Sequence, residues 1–196
     1  MSGVSQATAA KIVIAGGFGV GKTTLVGSVS EIKPLTTEAE MTVAGARIDD
    51  VAAIPGKTAT TVAMDFGRIT LAADLILYLF GAPGQERFWF FWDELSRGAI
   101  GAVVMADVRR LEDAFAAIDF FEHRGIPHVV AINQFDGAPV HGHEEIRDAL
   151  SVRDSVPLLM CDARHRESSK RVLVTLVEHA VTQLRMSTGG AALARP

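Results

Sequence analysis

The sequence predicts an α/β fold, a P-loop three-layer sandwich. Its six-stranded, mostly parallel sheet has one antiparallel edge strand and helices on both faces. Three observations predict it. Residues 16–23 read Gly-Gly-Phe-Gly-Val-Gly-Lys-Thr, the G-x-x-x-x-G-K-[ST] pattern whose backbone N–H groups cradle phosphates between a strand and a helix. Continuous apolar runs alternate with amphipathic segments along the chain, as parallel strands buried on both faces require. One pair of strands, Thr61–Thr70 and Asp74–Phe80, is separated only by Leu71-Ala72-Ala73, which makes an antiparallel hairpin.

The elements follow in order. Lys11–Ala15 is a short apolar strand that delivers the chain to the loop, and Lys22–Ser30 continues as a helix. Glu31–Thr60 is the least regular stretch, with Pro34, Gly45, Pro55 and Gly56; Met41–Ile48 within it can form a strand or a short helix. A long irregular segment in a compact domain is usually functional, and this one lies where a nucleotide-sensing loop belongs. After the hairpin come strands at Ala99–Ala106, Pro127–Ile132 and Val156–Met160. Helices fit between and after them at Arg110–His123, His143–Leu150 and Ser168–Leu184. The expected organisation is one domain over residues 11–186, a flexible N-terminus at 1–10 and a flexible Gly/Ala-rich tail at 187–196.

At 196 residues and 48% apolar content the chain can bury a sizeable core. Its 19 basic and 23 acidic residues give a net charge of −4, so no basic footprint points to nucleic acid or anionic lipid. A lone cysteine, Cys161, permits no intrachain disulfide and fits a reducing cytoplasm. No apolar run reaches membrane-spanning length, so membrane contact is expected only through partners, without direct insertion.

The candidate site begins in the loop. Gly17, Phe18, Gly19, Val20 and Gly21 would surround the phosphates, with Thr24 following in the helix. Lys22 would reach the β- and γ-phosphates, and Thr23 would hold Mg²⁺. In Lys57–Phe66 a threonine just before a strand can close over the γ-phosphate and give Mg²⁺ an oxygen; Thr61 is the candidate, with Thr60 the alternative. In Phe80–Phe88, Gly84 can bring its N–H to the γ-phosphate and Gln85 can orient an attacking water. In Val129–Asp136 a strand end presents Asn133, Gln134 and Asp136. Guanine offers donors at N1 and N2, both acceptable to one carboxylate, whereas adenine has an acceptor at N1 and no 2-amino group. Asp162, Ala163 and Arg164 stand at the next strand end, where the backbone around Ala163 would support the base. Cys161 reads as a packed small residue, since no His or Asp pattern activates it.

With these segments in this order, the chain resembles small GTPases of the Ras-like superfamily over roughly residues 10–184. Gly84-Gln-Glu-Arg-Phe88 is close to the second switch of the Rab type, Asn133-Gln-Phe-Asp136 resembles the Asn-Lys-x-Asp base motif, and Asp162-Ala-Arg164 resembles Ser-Ala-Lys. The phrases at 61–70, 78–90 and 161–164 look like the bacterial GTPases of conservon operons, relatives of the gliding-motility polarity GTPase. The resemblance implies a cytoplasmic switch binding GTP and GDP with Mg²⁺ and hydrolysing GTP slowly. It also implies a roadblock-type regulatory protein and a membrane sensor kinase complex as partners through residues 82–92. The alternative is a nucleotide-binding interaction module with negligible hydrolysis.

Several positions depart from that pattern. Gly81 stands where most Ras-like proteins carry the Asp that holds a Mg²⁺-bound water, and Asp65 on the neighbouring strand is either its substitute or an outward-facing residue. Phe18 replaces a glycine and either crowds the γ-phosphate or turns outward. Thr60 lies where the gliding-motility relatives carry an arginine, with Lys57 the nearest upstream cation, and Gln134 replaces the base-motif lysine. Phe88-Trp-Phe-Phe-Trp92 gathers aromatics just after Gln85. Phe88, Phe91 and Trp92 share one helix face, so one face cannot bury all five rings, and those left exposed would form a partner surface.

Overall fold

The computed structural model describes residues 8–42, 59–84 and 89–192. Strand β1 (Thr8–Gly16) leads through the phosphate loop into helix α1 (Lys22–Val29). Strands β2 (Leu35–Thr42), β3 (Ala59–Ala72) and β4 (Leu75–Gly81) follow, then α2 (Trp89–Ser96) and β5 (Ala99–Ala106). The chain finishes with α3 (Glu112–His123), β6 (His128–Asn133), α4 (His143–Ala149), β7 (Leu158–Cys161) and α5 (Arg166–Ala192).

One sheet holds all seven of these strands in the order β2-β3-β4-β1-β5-β6-β7. Every neighbouring pair from β4 to β7 is parallel, while β3 runs antiparallel to both β2 and β4. The six expected strands, the single antiparallel one and the flanking helices are therefore present. Strand β2 adds a seventh beyond β3, so the antiparallel strand sits one in from the edge. Its Leu35-Thr-Thr-Glu-Ala-Glu-Met-Thr42 sequence carries too many charges and threonines to read as a core strand. Pairing from Leu35↔Phe66 to Thr42↔Ala59 supplies its hydrogen bonds.

Two termini differ from expectation. Thr8–Ala10, placed in a flexible N-terminus, already pair with Leu75–Leu77, and the Thr8 N–H donates to the Asp74 carbonyl at 2.6 Å. Helix α5 runs on to Ala192, past the expected boundary at 186, despite the helix-disfavouring Gly189-Gly190.

The period-2 alternation of β1 builds two cores. Val13 and Ala15 face one side, with Val104, Phe91, Trp92, Leu95, Ile118 and Phe121; Ile12 and Ile14 face the other, with Leu25, Val26, Leu77, Leu173 and Leu176. Helices α2, α3 and α4 thus cover one face and α1 and α5 the other. That is why β1, β5 and β6 are apolar along nearly their whole length. The C-terminal ends of these strands open on one crevice, where β1 leads to the sheet's left half and β5 to its right half.

Candidate functional site

The phosphate loop starts where β1 runs out of pairing. Gly16 has φ 130° and Gly21, which caps α1, has φ 105°, so both lie in the left-handed region that glycine enters without strain. The first helical bond runs from the Leu25 N–H to the Gly21 carbonyl at 2.9 Å. Lys22 folds its ammonium back to donate to the Gly16 and Gly17 carbonyls at 2.9 and 2.6 Å. Burial pushes the Lys22 ammonium down to about 8, against the raising pull of the Asp65 and Asp113 carboxylates. Gly84 comes up against the same point: a Cβ added there would stand 2.7 Å from Lys22 Nζ and 2.8 Å from the Gly17 carbonyl oxygen. The backbone after β4 therefore reaches the phosphate loop only because residue 84 has no side chain.

Beside this lies an oxygen-rich corner. The Thr23 hydroxyl, on the first turn of α1, donates to Asp65 Oδ2 at 2.5 Å. Asp65 and Gly81 are direct partners across β3 and β4, and a Cβ on Gly81 would lie 3.0 Å from the Asp65 Cβ and 3.2 Å from Oδ2. Asp65 thus turns inward, over Gly81, instead of outward. A hydroxyl and a carboxylate are hard oxygen donors that fit a small divalent cation such as Mg²⁺. Among the described residues no cluster of three or more His, Cys, Asp and Glu competes with it.

The base side is organised by Asn133 at the end of β6. Its buried amide donates to the Val20 carbonyl at 2.9 Å and accepts from the Ala163 N–H at 3.0 Å. The sequence suggested that Asn133 and the Ala163 backbone would face the base. The two are hydrogen-bonded to each other, and brace the phosphate loop against the segment after β7. Gln134 is exposed, with its N–H on the Cys161 carbonyl at 2.7 Å. Asp136 is exposed at the rim and meets Arg164, whose Nη1 and Nη2 donate to its two oxygens at 2.7 and 3.1 Å. Arg164 also grips Asp162 through Nε and Nη2 at 2.9 and 2.8 Å. The guanidinium holds both carboxyls below their usual range, that of Asp162 more strongly, and its own affinity for protons rises.

The remaining candidates fall as follows. Phe18 projects from the loop at 69% exposure, and Gly19 beside it is also exposed. Thr24 is exposed on α1. Thr61 lies in β3 opposite Glu40 and Thr60 opposite Met41. Gln85 and Phe88 lie outside the described residues, as does Lys57. Phe91 and Trp92 are core residues of α2, and the Trp92 indole N–H donates to the Pro83 carbonyl at 3.3 Å.

Two arginines at the end of β5 went unnoticed in the sequence. Arg110 Nη2 donates to the Phe18 carbonyl at 2.9 Å, placing a cation beside the phosphate loop. Arg109 pairs with the buried Asp107 at 2.6 Å, and its guanidinium lies 4.1 Å from the centre of the Phe135 ring. The signal that could have found them is position: Asp107-Val-Arg-Arg110 follows the carboxyl end of a central parallel strand, where ligand crevices open.

Comparison with known proteins agrees with this architecture. The profile of a family described as conserved hypothetical ATP binding protein matches residues 14–183. The uncharacterized protein MJ1339 of Methanocaldococcus jannaschii is 30% identical over 128 residues, 64% of this chain and 70% of that protein. Among solved structures, the G domain of the T. maritima FeoB iron transporter superposes with a TM-score of 0.62 at 20% identity, covering 88% of this chain and 99% of that domain. The GDP form of the FeoB cytosolic domain gives 0.63 at 19% identity over 89% of this chain, which spans 64% of that cytosolic domain. The fold is that of a G domain.

Proposed function

This chain belongs to the family described as conserved hypothetical ATP binding protein, and on that premise we propose that it is a guanine-nucleotide switch that binds GTP and GDP with Mg²⁺ and hydrolyses GTP slowly. The observation that carries the proposal is the Asn133 bridge. It fastens the loop built for phosphates to the segment holding Asp162 and Arg164, so one nucleotide can engage both, with the Asp136 carboxylate at the rim. Solved G-domain structures with the same fold, one of them in a GDP form, support the guanine assignment.

Lys22 would neutralise phosphate charge, and Thr23, Asp65 and Thr61 would supply oxygens to the cation. The cation, when bound, offsets negative charge on the β- and γ-phosphates. Gln85 orients a water for in-line attack on the γ-phosphorus, the bond to the β-phosphate oxygen breaks, and GDP and phosphate leave. Asp136 accepts the two donors of guanine. The family description names ATP, but adenine would set a ring acceptor against this carboxylate. Competition against labelled GDP decides: GTP is expected to outcompete ATP by at least about 10²-fold, with the preference lost in Asp136→Ala. Equal competition by the two would restore the ATP assignment.

Phe18 favours a second reading, an interaction module that barely hydrolyses, because its exposed ring stands at the loop rim where an activating arginine would approach. Phe18→Gly is expected to raise single-turnover hydrolysis, and Gln85→Ala to abolish it. Undetectable hydrolysis in both wild type and Phe18→Gly would favour the module. The likeness to conservon-type GTPases supports a roadblock-type protein and a membrane sensor kinase complex as partners at residues 82–92, on a cytoplasmic protein recruited to the membrane through them.

A further inference from the structure

We propose that Arg164 is an intramolecular stand-in for guanine, competing with the base for Asp136 and thereby setting how tightly guanine nucleotides bind. This rests on the guanine assignment above. A guanidinium presents two separate two-donor edges. Arg164 spends one, Nε with Nη2, on Asp162, and the other, Nη1 with Nη2, on Asp136. Guanine carries the same chemistry, because N1, C2, N2 and N3 form a cyclic guanidine whose N1–H and N2–H are two parallel donors suited to one carboxylate. The Asp136 oxygens can accept one such pair head-on at a time.

The anchoring is unequal. Asp162 is largely enclosed, with 18% of its side chain exposed, and its N–H is held by Ser168 Oγ at 3.0 Å, whereas the Asp136 side chain is 85% exposed. Arg164 also donates its backbone N–H to Asp162 Oδ1 at 3.0 Å. Its base is therefore fixed and its far edge yields: guanine displaces the Asp136 contact while the Asp162 contact persists. When the base leaves, the fork closes again on the same carboxylate. Apparent affinity falls to the fraction of molecules in which Asp136 is already released, a modest factor for so exposed a pair.

The test measures the affinity and association rate of a fluorescent GDP analogue, with ADP in competition, on the full chain. Arg164→Gln is expected to tighten GDP about two- to fivefold, through faster association, and to leave ADP unchanged. Raising KCl screens the exposed pair and narrows the gap between wild type and variant. In an Asp136→Ala background Arg164→Gln is expected to have no effect on GDP. Unchanged or weaker GDP binding in Arg164→Gln, or an equal gain in the Asp136→Ala background, overturns the stand-in role while guanine preference stands. Equal wild-type affinity for GDP and ADP, indifferent to Asp136→Ala, overturns the guanine assignment and this role with it.

Discussion

Lys22 is the residue that the proposed function sets against the phosphates, and its chemistry is set by more than its motif. Burial favours the neutral amine, and Asp65 and Asp113 restore only part of the charge, so it titrates near 8. An anionic phosphate stabilises the protonated form and raises that value. Between pH 7 and 10 nucleotide binding should therefore take up a proton, and affinity should fall by up to about tenfold per pH unit above 8. Calorimetry in buffers of different ionisation enthalpy measures the uptake; a profile flat to pH 10 contradicts it, and Lys22→Met should abolish the slope. The spacing from Gly16 to Thr23 made Lys22 and Thr23 legible at once, because the loop is local in sequence. Asp65 was legible only as one of two orientations. Its inward turn depends on strand parity and on Gly81 opposite, which only the long-range register decides. The contacts of the Asn133 amide with Val20 and Ala163 were not legible, because residues so far apart in the sequence meet only in the fold.

At the scale of elements, β3 and β4 exchange a carboxylate. Asp65 and Gly81 share a face as direct antiparallel partners, and a Cβ at residue 81 would lie 3.0 Å from that of Asp65. In the double variant Asp65→Gly/Gly81→Asp the acid returns to β4 and the room it needs opens on β3. Mg²⁺ enhancement of GDP binding should be lost in Asp65→Ala and regained at least in part in the double variant. Unchanged Mg²⁺ enhancement in Asp65→Ala would show that Asp65 does not serve the cation. The six strands with strong apolar runs were legible. Strand β2 was not, because its Thr–Glu alternation resembles a loop until β3 offers an edge, and the helical course of residues 187–192 was hidden by their glycines.

Across the whole molecule, the two cores share one sheet, and stability on the α2–α3 face centres on Phe121. That ring is fully buried, stacks with Trp92 and meets Phe120 edge-on. Phe121→Ala should cost about 3–5 kcal/mol, read by chemical denaturation, and lower Tm by roughly 6–20 °C. A loss below about 1 kcal/mol would mean that the face repacks around the cavity. The Asn133 bridge has a consequence on the same scale. By joining the two halves of the crevice, it would make the protein of the proposed function a chelator and the nucleotide a two-headed ligand. Once the phosphates are seated, the base meets its carboxylate at an effective concentration set by the ribose tether, not by the solution. Guanosine and pyrophosphate, offered as separate molecules, should then bind together far more weakly than GDP binds alone.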